Sequence, residues 1–319
     1  MKDGILVLNK PQNWTSHDCV AVCRRVLRLK GVKKIGHGGT LDPMACGVLP
    51  IFIGKATRLM EYTDLDDKTY RCTAKLGIIT DTLDIWGQVL EERDTSKVTE
   101  EDVREAMKAF DGDITQYPPM YSAVRVNGKK LYEYAREGME VEVKPRTVTI
   151  HSLEIENIDM DKMEVTFEVT CSKGTYIRTI CSDLGEALGC GAVMSALTRT
   201  ASGVFDISVG VDPEDIKTMS EEDIEKHIVD VDKPLVHFGK IEMMGHRAKY
   251  FNMGNSIRWH QIKVIEEPKV ADPNLKNKRG RRYDTLYKVY QVETGEFLGV
   301  GYRDDKENLL KADKILVTR

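Results

Sequence analysis

Apolar and polar positions follow two different periods along the chain, and together they predict a mixture of strands and helices. Residues 4–8 (GILVL) form a short continuous apolar run, which is typical of a buried strand. Thr15 and Asp18 then match a capping box, the pattern that begins many helices. The segment DCVAVCRRVLRLK follows with apolar residues at helical spacing, and Gly31 is a stop signal. This stretch therefore predicts a strand followed by a capped amphipathic helix.

The same two periods recur downstream. Strand-like patterns occupy residues 48–54, 68–77, 141–153 and 163–171. Helical patterns occupy residues 55–62, the segment after a second capping box at Thr99 and Asp102, and residues 182–189, closed by Gly189. Because strands and helices are mixed without a regular strand–helix–strand rhythm, we expect an α+β fold with a mainly antiparallel mixed sheet flanked by helices.

The last third of the chain has a different texture. An acidic stretch at 211–232 is a plausible boundary, and beyond it short strand-like pieces (YKVYQVE, EFLGVGY, KILVT) alternate with turns. This pattern suits a small β-barrel. A length of 319 residues also favours two domains. We therefore predict one domain over residues 1–232 and a second over 233–319.

Composition is that of a globular protein with a real core, at 41% hydrophobic and 31% charged residues. No apolar run is long enough to span a bilayer, and the N-terminus carries Asp3 and a short apolar stretch ended by Asn-Lys-Pro, unlike a signal peptide. We therefore expect a cytoplasmic protein. The seven cysteines are odd in number and include no C-x-x-C, which argues against a disulfide framework and a structural zinc site.

Charge is segregated along the chain although the formal net charge is only −4. Residues 1–60 hold ten Lys or Arg against three Asp and no Glu. Six of these basic residues crowd the outer side and exit of the first helix: Arg24, Arg25, Arg28, Lys30, Lys33 and Lys34. A second basic run, KNKRGRR, occupies residues 276–282. Each run is either a solvated face or a set of phosphate contacts.

The glycine-rich segment GHGGTLDPMACGVLP at 36–50 contains a single acidic residue, Asp42. A turn explains the Asp-Pro pair. A nucleotide-binding loop does not fit, because Gly47 to Gly54 is too long for a Walker A loop, Ala56 stands where Ser or Thr is needed, and the dinucleotide fingerprint is absent. A Ser or Cys nucleophile is also disfavoured, since no G-x-S-x-G occurs and Cys46 has no visible base beyond His37.

A carboxylate nucleophile remains as the catalytic reading of Asp42. Such a group must be ionised and reachable by substrate, and a fixed cation nearby would orient it. Residues 171–180 (CSKGTYIRTI) could supply that cation, because Gly174 allows a tight turn and Arg178 follows at a strand-to-helix junction. A surface ion pair is the alternative reading of Arg178.

Seven segments in fixed order carry a resemblance to a known family. They are NKPQNWTSHD (9–18), GHGGTLDPMACGVLPIFIGKATR (36–58), DKTYRCTAKLG (67–77), TDTLDIWG (80–87), QYPPMYSAVRVNGKKLYEYAREG (116–138), SKGTYIRTICSDLGEALGCGA (172–192) and LTRTASGVF (197–205). The chain resembles the TruB family of bacterial tRNA pseudouridine-55 synthases over most of residues 3–210. Its tail, with EFLGVGY and KADKIL, is similar to the PUA-like domain that ends many bacterial members.

The resemblance implies that the protein isomerises a uridine in the T-loop of tRNA to its C-glycoside, without cofactor or metal. It implies that Asp42 is the nucleophile, that Tyr70 stacks on the flipped base and serves in proton removal, and that Arg178 pairs with Asp42. Eight further residues are expected to contact the RNA or line its pocket: His37, Tyr176, Asp84, Leu197, Arg58, Lys276, Arg279 and Arg281. The tRNA T-arm would be the partner of a monomer that needs no protein subunit.

Two alternatives remain open at this stage. A guide-RNA-dependent synthase of the archaeal and eukaryotic kind shares the Asp motif, although residues 116–138 follow the bacterial stand-alone form. A non-catalytic RNA-folding protein could use the same scaffold, although Asp42, Tyr70 and Arg178 are all present.

Overall fold

The computed structural model describes residues 1–29, 31–65, 67–270 and 272–317. The α-helices are α1 (Ser16–Arg28), α2 (Glu100–Met107), α3 (Leu131–Arg136), α4 (Ile177–Ala187), α5 (Glu221–Lys226) and α6 (Gly245–Asn252). A long 3-10 helix spans Gly54–Leu65 and is called the 54–65 helix below; shorter 3-10 turns lie at Lys108–Phe110, Ile207–Val209, Asp215–Lys217, Trp259–Gln261 and Tyr283–Thr285.

The strands form two large sheets and two small hairpins. In chain order they are β1 (Gly4–Lys10), β2 (Ile35–His37), β3 (Cys46–Ile53), β4 (Lys68–Leu76), β5 (Ile78–Thr80), β6 (Val89–Glu92), β7 (Gly112–Gln116), β8 (Arg125–Val126), β9 (Lys129–Lys130), β10 (Arg146–Asp159), β11 (Glu164–Cys171), β12 (Ala192–Ser202), β13 (Phe205–Asp206), β14 (Ile228–Val229), β15 (Gly239–Met243), β16 (Ile257–Arg258), β17 (Lys263–Glu266), β18 (Leu286–Gln291), β19 (Phe297–Asp304) and β20 (Leu309–Ile315).

The main sheet has the order β14-β1-β3-β12-β4-β11-β10-β7, with β2 added to β3 and β13 to β12. Its pairs are antiparallel except where β3 meets β12, which places Cys46 beside Thr198 and Gly47 beside Arg199. Gly47 has φ +100°, and a Cβ there would lie 2.2 Å from the Arg199 carbonyl oxygen. Only glycine therefore allows the two strands to approach at this point. The expected α+β fold with a mainly antiparallel mixed sheet is confirmed.

Both predicted capping boxes are present. In α1 the Thr15 hydroxyl accepts from the Asp18 amide, and the Asp18 carboxylate accepts from the Thr15 amide. In α2 Thr99 and Asp102 form the same reciprocal pair. Each box provides acceptors for amides that the first helical turn leaves unpaired, which fixes where these helices begin.

Several element boundaries differ from those that the periodicity predicts. The strand predicted at 141–153 is β10, which begins at Arg146 because Pro145 cannot donate to a strand ladder. The helix predicted at 182–189 begins earlier, at Ile177, so that its apolar face starts with Ile177 and Ile180. The helix predicted at 55–62 is the longer 54–65 helix.

Helices cover the main sheet in two separate hydrophobic clusters. One cluster joins α2 and α4 to the central strands, with Met107, Phe167 and Leu184 among its buried members. The other joins α1 to β1 and β3, with Leu27 and Leu49 among its members. The seam where β3 meets β12 lies between the two halves of the sheet, and the Asp42 loop leads directly into β3.

Beyond residue 238 the chain forms a second, curled sheet with the order β16-β20-β19-β18-β15-β17. Its core includes Phe251 of α6 together with Val289 and Leu298. This confirms the predicted C-terminal PUA-like β-structure, although the last strand runs from Leu309 to Ile315 rather than over KILVT, whose Thr318 lies outside the described residues. The domain boundary at 232/233 stays a prediction.

Among the described residues, no helix combines the length and the apolar character that crossing a membrane requires. The seven cysteines are free thiols.

The capping box of α2 gives a test of local stability. Thr99→Ala removes the acceptor that lies 3.2 Å from the Asp102 amide, and we expect it to lower the free energy of unfolding by about 1 kcal/mol. Urea denaturation measures the change. Thr99→Ser keeps the hydroxyl and should lose much less, so an equal loss in both variants would contradict the capping assignment.

Candidate active site

The loop that carries Asp42 is fixed to the beginning of α1. The Leu41 amide donates to the Ser16 Oγ at 2.8 Å, and the same hydroxyl donates to the Leu41 carbonyl at 3.1 Å. Ser16 is 1% exposed, so water does not compete for either bond. The residue before Asp42 is therefore held by two hydrogen bonds from a helix that lies far away in the sequence.

Lys10 holds the other end of the same loop. Its ammonium is withdrawn from solvent and donates to the carbonyls of Pro11 at 2.9 Å, Trp14 at 2.6 Å and Pro43 at 3.4 Å. The Asn13 amide also donates to the Pro43 carbonyl, at 2.9 Å. Burial lowers the pKa of Lys10. Sequence reasoning missed this residue, although it belongs to the NKPQNWTSHD segment.

Arg178 lies in the first turn of α4, and its side chain is 6% exposed. Its Nη2 lies 2.9 Å from the Asp42 Oδ2 and also donates to the Tyr121 carbonyl at 2.9 Å. Its Nη1 donates to the Thr82 carbonyl at 3.0 Å and lies 3.5 Å from the Asp84 Oδ2. The guanidinium is therefore held in one orientation by two carbonyls, with a carboxylate at each terminal nitrogen.

Asp84 lies beside Arg178, and the expectation that it lines the substrate pocket stays a prediction. Its Oδ1 accepts from the Thr82 hydroxyl at 2.8 Å and from the Trp86 amide at 3.1 Å, while its Oδ2 faces Arg178. These bonds close a tight turn after β5 and leave the carboxylate 12% exposed. Asp84 therefore contacts the guanidinium that contacts Asp42.

A cavity of about 370 Å³ opens in front of the Asp42 carboxylate. Its walls come from the 37–42 loop, β4, the beginning of α4, β12 and the 54–65 helix. The structure brings together six of the residues singled out from sequence, since the lining includes His37, Asp42, Tyr70, Tyr176, Arg178 and Leu197. The volume falls in the range of roughly 300–1,000 Å³ that is typical of small-ligand sites.

Tyr70 lies on β4 and is 8% exposed, with its ring on the cavity wall. Burial raises the pKa of its phenol. In the sheet Tyr70 lies opposite Arg199 of β12. An aromatic ring beside a cavity with a carboxylate could stack on a planar group held against it.

Arg199 is a second buried arginine of the site, and sequence reasoning did not single it out. It is 1% exposed, its Nε donates to the Val48 carbonyl at 2.7 Å, and its Nη2 donates to the Gly39 carbonyl at 3.3 Å. It thereby links β12 to the loop that carries Asp42. The available signal was a charged residue inside the otherwise strand-like stretch LTRTASGVF.

His37 is half-buried at the end of β2, next to the cavity. Its ring meets that of His17 edge to face, with centroids 5.4 Å apart. Burial, and then the neighbouring His17, lower the pKa of His37. A backbone hydrogen bond at Gly39 opposes this lowering.

Four predicted contact residues lie away from the cavity. Arg58 is exposed and donates to the Ile315 carbonyl. Lys276, Arg279 and Arg281 belong to the C-terminal domain, where Arg281 Nε lies 2.6 Å from Asp313 and Arg279 Nη1 lies 3.4 Å from it. Their predicted contacts with RNA therefore stay predictions. Of the basic residues around α1, Lys30 lies outside the described residues.

Two family models match consecutive parts of the chain. Residues 24–177 match the TruB family pseudouridylate synthase N-terminal domain, and residues 178–236 match the tRNA pseudouridylate synthase B C-terminal domain. The junction between the two matched regions falls at Arg178. The chain belongs to the TruB family.

Curated relatives in the TruB family match over nearly the whole chain. A protein of Clostridium perfringens named tRNA pseudouridine synthase B is 41% identical over 316 residues, which covers 99% of each chain. One of the same name from Alkaliphilus oremlandii is 46% identical over 83% of this chain and 87% of its own length. The resemblance inferred from the seven segments is thereby confirmed.

Solved structures share the fold over nearly the whole chain. Over 99% of this chain, the fold superposes with a TM-score of 0.71 and 27% identity on a chain of a Cbf5-Nop10-Gar1 complex, of which it covers 84%. A chain from an H/ACA RNP bound to a substrate RNA containing 2'-deoxyuridine gives a TM-score of 0.71 and 25% identity, with 86% of that chain covered. These matches confirm the pseudouridine-synthase fold.

The lowered pKa of His37 gives a prediction about acid stability. As the pH falls below about 6.5, the unfolded chain takes up a proton at this position before the folded protein does, so folding loses stability. We expect His37→Gln to lose less stability than the wild type between about pH 7.5 and about pH 5.5. Thermal melting at both pH values measures this. The exposed His246→Gln is the control, and a profile for His37→Gln that matches this control would contradict the prediction.

Proposed function

We propose that this protein is a stand-alone tRNA pseudouridine synthase that converts uridine 55 in the T-loop into pseudouridine, with Asp42 as the nucleophile. The observation that carries the proposal is the Asp42 carboxylate, 40% exposed, held 2.9 Å from the buried Arg178 at the wall of a cavity. The names of the relatives, tRNA pseudouridine synthase B, supply the substrate class.

The shape of the site is consistent with an extruded nucleotide. A base inside a folded RNA loop hides its glycosidic bond, so the enzyme has to flip the nucleotide out at a cost of roughly a few kcal/mol. Stacking on an aromatic side chain returns about 1–3 kcal/mol per base. Tyr70, on the cavity wall, is the side chain proposed for this stacking, while Leu197 and Tyr176 supply further contact surface.

Isomerisation moves the sugar from N1 to C5 of the same base. The bond between N1 and C1′ breaks with its electron pair going to N1, and the detached uracil turns within the cavity. A bond between C5 and C1′ then forms, the hydrogen on C5 leaves as a proton, and N1 takes up a proton, so that the product is an isomer of the substrate. Asp42 takes part either by attacking C1′ or by removing a sugar proton to form a glycal. Arg178 contacts Asp42 through one terminal nitrogen and keeps the carboxylate aimed at the sugar.

Tyr70 is proposed both to stack on the base and to serve in the removal of the C5 proton. Its raised pKa supports the first role more directly, because a protonated phenol has to lose its own proton before it can accept another. His37, which lines the cavity, is proposed to contact RNA and to help hold the displaced base.

Binding of the rest of the tRNA is proposed for the basic surfaces. Arg24, Arg25 and Arg28 lie on α1, and Lys276 and Lys278 are exposed on the C-terminal domain. Lys and Arg side chains contact phosphates and position an RNA without reading its sequence. We propose that residues 233–319 form the PUA-like RNA-binding domain of a monomer that requires no protein subunit.

A guide-RNA-dependent synthase is the second candidate, favoured by the superposition on the Cbf5 chain of a Cbf5-Nop10-Gar1 complex. The stand-alone reading is supported by higher identity, 41% over 99% of the chain, to relatives named as tRNA enzymes. A non-catalytic RNA-folding protein on this scaffold is the third candidate. All three differ in what the purified chain does to an unmodified tRNA transcript.

The decisive experiment uses Asp42→Asn in a tritium-release assay on tRNA labelled at uridine C5. We expect the wild type to release tritium without added guide RNA or proteins, and the variant to lose turnover while tRNA binding survives, because Asn keeps the shape of the loop but is not a nucleophile. Asp161→Asn, in an exposed turn, is the matched control and should retain full turnover.

Near-normal turnover of Asp42→Asn would show that the nucleophile is another group. Release of tritium by the wild type only after guide RNA and accessory proteins are added would favour the second candidate. Tight tRNA binding by a wild type that never releases tritium would favour the third.

Binding of tRNA should depend on salt through the exposed lysines of the C-terminal loop. The double variant Lys276→Gln/Lys278→Gln should weaken tRNA binding and reduce the slope of log affinity against log salt by about 1–2. Filter binding across a salt series measures the slope. Lys306→Gln, in the exposed turn between β19 and β20, is the control, and an unchanged slope in the double variant would identify the loop as a solvated tip.

A further inference from the structure

The 54–65 helix has two faces with different surroundings. On one face Met60 and Thr63 line the cavity that contains Asp42. Met60 lies against Gly36, where an added Cβ would come within 3.0 Å of its sulfur, and Gly36 precedes His37 on β2. This face of the helix is therefore a wall of the candidate active site.

The opposite face of the same helix is buried against the C-terminal sheet. Leu59 and Tyr62 are 0% and 2% exposed and share a hydrophobic cluster with Phe238, Leu286 and Val300. The Tyr62 ring meets the Phe238 ring edge to face, with centroids 5.0 Å apart. The 54–65 helix thus separates the cavity from the C-terminal domain.

A buried carboxylate lies where this helix meets the sheet. The Tyr62 hydroxyl donates to Asp313 of β20, whose side chain is 0% exposed. Arg281 Nε lies 2.6 Å from the other carboxylate oxygen, and Arg279 Nη1 donates to the Asp313 carbonyl at 3.2 Å. Two arginines of the basic run at 276–282 therefore compensate the negative charge of Asp313.

Two further contacts join the helix to the end of β20. The Lys314 ammonium forms an ion pair with Glu61, and Arg58 donates to the Ile315 carbonyl. Three consecutive residues of β20 are thus bound to three residues of the 54–65 helix. The Asp313 side chain is fully buried, whereas the Glu61 side chain is 16% exposed.

We propose that Asp313 is a positioning residue for the active site: through Tyr62 it fixes the 54–65 helix and thereby the cavity wall formed by Met60 and Thr63. The inference rests on the proposed function, because its effect on catalysis is read as pseudouridine formation. The C-terminal domain would then contribute to catalysis as well as to RNA binding, because Asp313 of β20 fixes the helix that forms one wall of the cavity.

A hydrogen bond to the Asp313 carboxylate is directional, and for this reason it can fix the position of the 54–65 helix. Apolar contacts between Leu59, Tyr62 and Phe238 hold the helix against the sheet but tolerate sliding, whereas a hydrogen bond to a fixed acceptor selects one position. Burial and the adjacent Asp313 raise the pKa of Tyr62, so its hydroxyl remains a donor at physiological pH. Asp313 is itself immobilised by Arg281, whose guanidinium stacks 3.6 Å from the centre of the Tyr302 ring.

The test removes a single hydroxyl. Tyr62→Phe keeps the ring in its apolar cluster and deletes only the bond to Asp313. We expect the single-turnover rate of pseudouridine formation at saturating tRNA to fall by about tenfold, since small misplacements of a site cost rate steeply. We expect tRNA affinity to stay unchanged.

Tyr290→Phe is the matched control. The Tyr290 hydroxyl also donates to a carboxylate, that of Asp232, but this pair does not involve the 54–65 helix. The control should lose a similar amount of thermal stability and retain the wild-type rate. A wild-type rate in Tyr62→Phe, or equal rate losses in the two tyrosine variants, would overturn the positioning role.

Hydrogen exchange separates this inference from the proposed function. If the wild type forms no pseudouridine, the proposed function fails, and the coupling is judged from exchange of the backbone amides of residues 54–63. Faster exchange there in Tyr62→Phe than in both the wild type and Tyr290→Phe would support the coupling. Equal exchange in all three proteins would overturn it.

Discussion

The guanidinium of Arg178 is a buried positive charge, and the arrangement of the site provides the hydrogen bonds and ion pairs that this charge requires. Burying such a group costs several kcal/mol unless ion pairs and hydrogen bonds replace its hydration. Here the carbonyls of Thr82 and Tyr121 and the carboxylates of Asp42 and Asp84 replace it. All four partners lie on three loops that precede α4 in the sequence, so the arginine joins those loops to one another. Asp42 is the partner that remains open to the cavity.

Much of the fold could be predicted from sequence because its signals are local. The capping boxes at Thr15 and Thr99 need only four consecutive residues each, and the periodicity of α2 and β4 needs only one buried face. The ends of helices and strands were harder to predict where a single residue overrides the hydrophobic periodicity. Pro145 delays the beginning of β10, and Ile177 extends the apolar face of α4 to include the turn that carries Arg178.

The site was predictable only where a family motif marks it. Asp42 and Arg178 lie in two of the seven segments that resemble the family, and the structure places them in contact. Lys10 and Arg199 also lie in these segments, but both bind backbone carbonyl oxygens, of the Asp42 loop and of β3. Because every residue has a backbone carbonyl, the pattern of side chains does not indicate such contacts. The arginines at 279 and 281 show the reverse case. The basic composition of residues 276–282 indicates phosphate binding, whereas in the structure both arginines contact the buried Asp313. Asp313 lies more than 30 positions away in the sequence, so the basic run alone does not indicate this contact.

The parallel pairing of β3 with β12 affects the order in which parts of the protein fold during synthesis. Arg199 Nε and the Val48 carbonyl are separated by 151 positions, and the Asp42 loop is fixed from this side only when both strands have met. Closing a loop of that length is slow compared with forming local helices. During synthesis, the segment that carries Asp42 therefore emerges long before the strand that completes its surroundings. A nascent chain consequently holds the carboxylate without a finished pocket, and the site forms only after about two thirds of the polypeptide has been made.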